Sequence, residues 1–259
     1  MSKIDLESIW DSSTPAWIKM IDSGMKLFRD KIRDPAIIET LGNVKNKKIL
    51  DIACGEGDSS RLIASQGAIV TGLDISSNMI QAARQRSKNI EYIVGNAHEI
   101  PFEKESFDYV VCLSLMNIPD LDKTYNEFYR VLKFGGRLIV NTVHPCFKAN
   151  PNNYFLPHKN NKTPGLFVNE YFRDEPWISK TTLNQNLHGN QANQDQDIFQ
   201  TVTFPYTISS YINKLINAGF RLDLINEPKA LVSESNSSQE LKFWALHAAR
   251  NLIFGAEKI

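Results

Sequence analysis

Long apolar runs are absent from this 259-residue chain. No stretch approaches the ~20 apolar residues that a membrane helix needs, and the N-terminal residues carry no apolar core of the kind found in secretion signals. A cytoplasmic protein with no membrane span is the expectation. Cysteine is scarce as well. Cys54, Cys112 and Cys146 have no metal-ligand spacing; the first two fall in or beside apolar runs and read as small buried thiols, which fits a reduced compartment. The five histidines (His98, His144, His158, His188, His247) are scattered and make no metal motif. Neither sign of charge is in excess: 29 Lys and Arg balance 29 Asp and Glu. This leaves no electrostatic footprint for duplex nucleic acid, and the basic stretch from Lys45 to Lys48 reads as a solvated turn. No internal repeat is visible, and the length suits one α/β domain with insertions.

What is present concentrates between residues 48 and 74. The run Lys48 to Ile52 reads as a buried strand, and Ala53-Cys54-Gly55-Glu56-Gly57 follows as a turn whose glycines let the backbone approach a ligand. Asp58, Ser59 and Ser60 each offer a cap for a helix reaching about Gln66, and a second strand from Ala68 to Leu73 ends at Asp74. Strand, glycine turn, helix, strand and an acid about twenty residues on make a nucleotide-binding half of a doubly wound sheet. A dinucleotide turn asks for G-x-G-x-x-G. Here Asp58-Ser59-Ser60 follows Gly57, so the third glycine is missing, and Asp51 sets a carboxylate inside the strand. Negative charge there opposes a pyrophosphate and favours a cationic ligand. A glycine turn with no ligand is the plain alternative, because a glycine motif alone is a weak signal.

Around this core the pattern alternates. Strands are expected at 48–53, 68–73, 90–94, 107–113 and 137–143, and helices at 58–66, 77–87 and 121–133, the signature of a parallel sheet covered on both faces. The first forty residues read as helical, with Trp10, Trp17, Ile18, Ile21, Met25, Leu27, Phe28 and Ile32 on an apolar face interrupted at Pro15 and Pro35. From His144 to about Phe204 the chain is rich in Asn, Gln and Pro with scattered aromatics, which argues for a packed lid containing a mobile polar tract, Asn184 to Gln196. A helix from Thr207 to Ala218, a strand from Phe220 to Ile225, a flexible turn from Ser233 to Gln239 and a last strand from Leu241 to Ala249 complete the reading.

Asp51-Ile52-Ala53-Cys54-Gly55-Glu56-Gly57 resembles motif I of the class I S-adenosylmethionine-dependent methyltransferases, and Gly72-Leu73-Asp74 resembles their second motif. The resemblance runs over nearly the whole chain and points to the broad small-molecule and ubiquinone/menaquinone-biosynthesis-like group. It implies an α/β doubly wound, mostly parallel seven-stranded sheet, with an N-terminal helical cap at 1–44 and a methyltransferase domain at 45–259 that carries the lid at 145–204. The implied cofactor is S-adenosylmethionine, with S-adenosylhomocysteine as product. Cys54, Gly55 and Gly57 would then cradle it, and Asp74 would accept both ribose hydroxyls, since a carboxylate has two acceptor oxygens; Ile75 and Met79 follow in the same motif. Asp74 also reads as a helix N-cap. Asp51 and the carbonyls of Ala53 and Leu113 would meet the amino acid moiety. In Gly95-Asn96-Ala97-His98, similar to the third motif, Asn96 stands where the family usually has Asp. Its amide oxygen can still accept from the adenine amine, leaving the NH2 to find another partner. Ala97 would offer its N–H to the ring, with His98 beside it; a plain Gly-Asn turn is the alternative. Arg29 either reaches the cofactor carboxylate or stays a solvated helix-face cation.

The strand end from Leu113 to Asp120 lacks the N/D-P-P-Y/F signature of enzymes that methylate exocyclic amines of bases, which favours a small-molecule acceptor. His144, in Asn141-Thr142-Val143-His144-Pro145, follows the fifth strand at the ligand-binding edge of the sheet. It reads as a base that takes the acceptor's proton or as an anchor for the lid. Asn117, Tyr171, Trp177 and Tyr206 are candidates for the acceptor pocket; the aromatics serve equally as lid core. The expected activity is methyl transfer to an oxygen or nitrogen of a small metabolite, by a monomer or homodimer. Carbon methylation of a quinone or phenolic precursor, aminopropyl transfer and a non-catalytic cofactor-binding subunit stay open, because a nucleotide site does not specify a reaction.

Overall fold

The computed structural model describes residues 4–23, 28–147, 154–156, 165–182, 198–229, 243–244 and 247–259. A seven-stranded sheet organises them. Five strands alternate with helices: β1 (Lys48–Ile52), α3 (Asp58–Ser65), β2 (Ile69–Asp74), α4 (Ser77–Arg86), β3 (Glu91–Val94), β4 (Phe107–Cys112), α5 (Leu121–Val131) and β5 (Leu132–Val143). α6 (Ile208–Asn217) leads to β10 (Phe220–Asn226), and β11 (Asn251–Lys258) ends the chain. The order across the sheet is β3-β2-β1-β4-β5-β11-β10, with β1 to β5 parallel and β11 antiparallel to both its neighbours. Between β1 and β4 the strand order reverses direction, and that switch point opens a crevice at the carboxyl ends of the strands.

Period-two alternation builds the two layers. Leu50, Ile52, Val110, Cys112, Leu138 and Val140 face one side, where they bury against Tyr125 and Phe128 of α5 and Tyr211 and Leu215 of α6. Ile49, Val111, Ile139 and Ile253 face the other, against Ile63 of α3 and Ile37 and Leu41 of α2 (Asp34–Leu41). Asp51 shares the face of Ile49, so its carboxylate meets α3.

The expected parallel core is present, with two differences outside it. The last strand lies at Asn251–Lys258, not at 241–249; Phe243 and Trp244 are helical and His247 sits in a turn. Both stretches are apolar, and the pairing available on β5 selects between them: Asn251 to Glu257 align with Val143 to Arg137. The tracts 184–196 and 233–239 lie outside the described residues. Within the inserted segment, two antiparallel pairs form, β6 (Tyr154–Leu156) with β7 (Gly165–Phe167) and β8 (Trp177–Thr182) with β9 (Ile198–Thr203).

The second difference is α1 (Leu6–Asp22), which runs straight through Pro15. A proline leaves the carbonyl four residues earlier without its helical donor. That carbonyl belongs to Asp11, and it accepts from the Asn78 side-chain amide at 3.2 Å. The Asp11 carboxylate then receives Ser76 Oγ at 2.5 Å, Ser77 Oγ at 3.1 Å and the Asn78 backbone N–H at 3.1 Å. Asp11 thus satisfies the free N-terminal donors of α4 from another element, while Ser13 exchanges hydrogen bonds with the backbone of Gln200 in β9. Burial alone would raise the Asp11 carboxyl, but the bonds from Ser76, Asn78 and Ser77 outweigh it and hold the group below its usual range. Its contribution is present at neutral pH and fades as pH falls through that lowered value. Asp11→Ala is expected to lower stability by about 1 kcal/mol and to speed proteolytic cleavage near α1; unfolding and limited proteolysis at pH 7 measure both.

Candidate active site

A cavity of about 880 Å³ lies over the switch point. Its floor comes from loops at the carboxyl ends of β1 to β5, and α1 with the β8–β9 hairpin covers it. The turn after β1 begins with Ala53 at φ +55° and Gly55 at φ +56°, and the Cys54 N–H donates to the Leu73 carbonyl at 3.1 Å. The Gly55 N–H donates to Asp74 Oδ2 at 2.8 Å, and the Ser76 N–H to Asp74 Oδ1 at 2.9 Å. Each carboxylate oxygen therefore has one backbone donor and keeps a second acceptor position, the arrangement that two vicinal hydroxyls require. Burial pushes the Asp74 carboxyl above its ordinary range, against these N–H groups, which favour the ionised form. The N-cap of α4 is Ser76, whose Oγ accepts from the Met79 N–H at 3.0 Å, and not Asp74.

The two glycines of the turn differ in kind. A Cβ on Gly55 would meet nothing within 4 Å and would project into open space at the cavity wall. A Cβ on Gly57 would come within 2.4 Å of the Tyr92 hydroxyl. Gly57 lies off the cavity, contrary to its expected place in the cradle: at φ +83° it starts α3 and lets Tyr92 pack against the turn.

Asp51 is 1 % exposed and accepts from Ser60 Oγ at 2.6 Å. Burial raises its carboxyl to about 7, against the Ser60 bond and the Arg33 charge. Arg29 lies in a π-helical turn (Arg29–Arg33), not on a solvated helix face; it lines the cavity and pairs with Asp58 at 2.8 Å. Its Nε and Nη1 are buried without a hydrogen-bond partner among the described residues. Nη2 already has the Asp58 carboxylate, and Nε and Nη1 keep donors for a further acceptor, which a ligand's carboxylate would supply. At the other end, Asn96, Ala97 and His98 line the cavity beside Ile75 and Met79. Asn96 Oδ1 accepts from the His98 N–H at 2.9 Å and keeps a second acceptor position. His98 Nε2 bonds to the Pro119 carbonyl at 2.7 Å.

An anion-seeking arginine, a paired-acceptor carboxylate and a buried acid fit a ligand with a carboxylate, a ribose and a positive charge. The comparisons agree with this donor set. Residues 43–203 match a family described as methyltransferase domain. The chain belongs to the methyltransferase family. It is 36% identical over 154 residues to a demethylmenaquinone methyltransferase of Listeria welshimeri, covering 53% of this chain and 63% of the relative. A relative of the same name from Thermotoga maritima is 39% identical over 112 residues, covering 42% and 49%. The chain thus spans less than two thirds of the length of these curated relatives. A crystal structure of a putative S-adenosylmethionine-dependent methyltransferase from Listeria monocytogenes aligns with TM-score 0.68 and 23% identity over 87% of this chain and 96% of that one. One from Mesorhizobium loti aligns with TM-score 0.67 and 22% identity over 86% and 96%. At such identity these structures show the fold. Both are described as S-adenosylmethionine-dependent.

The expected acceptor residues fare unevenly. Asn117 lines the cavity, its side-chain amide donating to the Val202 carbonyl. Tyr171, Trp177 and Tyr206 do not. The Tyr171 hydroxyl receives the Ile208 N–H at 3.1 Å, the Tyr206 hydroxyl donates to the Ile118 carbonyl at 3.2 Å, and Trp177 is buried beside Arg173. Trp177 is core of the inserted segment, Tyr171 is half-buried there, and Tyr206 packs on the main core. His144 is also off the cavity: it is 2 % exposed, Nε2 lies 2.7 Å from Glu227, and Nδ1 receives the Cys146 N–H at 3.2 Å. With both ring nitrogens engaged, the imidazole has none to offer an acceptor. The cavity's aromatic wall consists of Trp10, Trp17 and Phe28, joined by Leu6 and Met20. Sequence marked Trp10, Trp17 and Phe28 as part of an apolar helical face, without showing that this part turns toward the cavity.

Two outcomes test this site. Gly55→Ala should fold with a loss of about 1–2 kcal/mol for the left-handed backbone yet weaken cofactor binding at least tenfold, whereas Gly57→Ala should lose about 2–3 kcal/mol through overpacking against Tyr92; thermal unfolding and titration calorimetry separate them. For Asp51, a folded-state carboxyl that holds its proton up to about pH 7 makes the cofactor-free protein less stable as pH rises from about 4 to 7. A sulfonium favours the ionised form, so the affinity ratio of S-adenosylmethionine to S-adenosylhomocysteine should rise about tenfold between pH 6 and 8. In Asp51→Asn that ratio should stay flat.

Proposed function

We propose that this chain transfers the methyl group of S-adenosylmethionine to an oxygen or nitrogen of a small, flat, apolar molecule. The observation that carries the reading is one cavity with two unlike walls: the polar turn set Asp51, Gly55, Asp74 and Arg29, and the aromatic wall Trp10, Trp17 and Phe28. Its volume stands high in the range of small-molecule pockets, enough for cofactor and acceptor together.

The cofactor, when bound, supplies a methyl group on a cationic sulfur. Asp74 would accept the ribose hydroxyls and Arg29 the carboxylate. Ala97, after β3, would face the adenine, and Asp51 would set the field near the sulfonium. The flat aromatic walls would orient the acceptor, and holding acceptor and methyl in line supplies much of the rate without a strong base. The cap at 1–44 and the segment 145–204 would exclude water, as lids do. In this reading His144 anchors that segment through Glu227 and Cys146. A cytoplasmic location, with Cys54, Cys112 and Cys146 all free, a monomer or homodimer, and no nucleic-acid partner complete it.

A second reading, transfer to a ring carbon of a quinol, is favoured by the relatives' names, demethylmenaquinone methyltransferase. Incubation with methyl-labelled S-adenosylmethionine and a panel of phenols, aromatic amines and quinols tests both; NMR of the product assigns O, N or C. Trp10→Ala should lower kcat/KM for the acceptor at least tenfold while S-adenosylhomocysteine affinity stays within twofold. Equal losses would make the aromatic wall part of the cofactor site, and no labelled product from the whole panel would overturn the proposed acceptor class.

A further inference from the structure

At the carboxyl edge of the sheet, beyond the cofactor turns, two asparagines form a ladder. Asn141 of β5 donates through Nδ2 to the Leu113 carbonyl at 2.9 Å, and Asn251 of β11 donates through Nδ2 to Asn141 Oδ1 at 3.0 Å. Both side chains line the cavity, and the residues are 2 % and 4 % exposed. The orientation of each amide follows from its neighbour. A carbonyl only accepts, so Asn141 must turn its NH2 to Leu113 and its oxygen to Asn251. Asn251 must then give its NH2 to Asn141, which leaves its own Oδ1 facing away. That oxygen is buried and has no hydrogen-bond partner among the described residues. A buried acceptor left unpaired costs about 1–3 kcal/mol, and in a ligand cavity the missing donor is a ligand's.

The strand order says which ligand. Resting on the cofactor reading above, the adenine residues follow β3, the ribose carboxylate ends β2, and the amino acid residues follow β1 and β4. Each group of the cofactor thus lies one strand further across the sheet. The next strands are β5 and β11, which hold Asn141 and Asn251. The ladder therefore stands past the amino acid end, on the side of the cavity that the cofactor's groups leave free.

We propose that Asn251 is a specificity-determining residue, whose Oδ1 accepts a hydrogen bond from a hydroxyl or N–H of the methyl acceptor. Asn141 holds it in that orientation. The acceptor class is then an aromatic molecule bearing an O–H or N–H, and an ether or ketone of the same shape is rejected because it leaves the buried oxygen unpaired.

The test uses the whole chain with saturating S-adenosylhomocysteine and two probes of similar shape, 2-naphthol and 2-methoxynaphthalene, followed by quenching of Trp10 and Trp17 fluorescence. The naphthol is expected to bind at least tenfold tighter to the wild type, and Asn251→Leu should bring the two within threefold while S-adenosylhomocysteine affinity holds. Equal binding in the wild type, binding of neither probe, or a preference that survives in the variant would overturn the proposal. So would a parallel loss of S-adenosylhomocysteine affinity in the variant, which would give Asn251 Oδ1 to the cofactor's ammonium. Failure of S-adenosylhomocysteine to bind the wild type would instead sink the cofactor reading, and this inference with it. Should Asn251→Leu not fold, a crystal structure of the wild type with S-adenosylhomocysteine and 2-naphthol decides: the naphthol oxygen lies at about 2.5–3.0 Å from Asn251 Oδ1 or the proposal fails.

Discussion

Asp74 accepts the Gly55 N–H through one carboxylate oxygen and the Ser76 N–H through the other, and the ligand-facing half of the molecule hangs on that pair. The first bond fixes the turn after β1 relative to the end of β2. The second shapes the start of α4, so that Ser76 Oγ can cap the helix and still donate to Asp11. One buried acid therefore sets the cradle, the helix behind it and the docking of the covering helix α1. The arrangement is costly by itself, since burial raises the carboxyl. It persists because backbone donors favour the charge.

The covering elements depend on the same economy of backbone groups. Pro15 frees the Asp11 carbonyl inside α1, and Asn78 supplies the donor that the helix lacks. A residue that ordinarily breaks a helix becomes the place where the helix is tied down. Tyr171, Tyr206 and His144 act in kind: each uses its polar atoms on backbone or side-chain partners, at Ile208, Ile118 and Glu227, and lines no part of the cavity. Polar aromatics must satisfy their own groups once buried, and these do so on those partners. The far wall of the cavity is left to side chains with little to satisfy, and to the asparagine ladder, whose last oxygen has no donor among the described residues.

Much of the parallel core was legible in the amino-acid order, because local rules govern it. Alternation places Leu50 and Ile52 on one face and Ile49 and Asp51 on the other, and the glycine turn, Asp74 and Asn96 stand at spacings that a βαβ unit dictates. That Asp51 to Gly55, Asp74 and Asn96 to His98 would meet at one edge of the sheet was readable for the same reason, and they line one cavity. What spacing did not show was the difference between Gly55 and Gly57. Which glycine meets a ligand and which meets Tyr92 depends on a side chain 35 residues on.

Elsewhere the tertiary structure decided. Apolar stretches at 241–249 and 251–258 both satisfy strand propensity, and only pairing with β5 selects the second. Trp10 and Trp17 look alike as ligand wall or helix core until α1 is docked by Asp11, Ser13 and Asp22, contacts with residues more than sixty positions away. Asn141 and Asn251, 110 residues apart, become a ladder only because β11 runs antiparallel beside β5. The amino-acid order by itself determined the fold class and the cofactor cradle, since both follow from short-range periodicity and turn chemistry. The acceptor side was decided in space, by long-range pairing and by which buried polar atoms were left a partner.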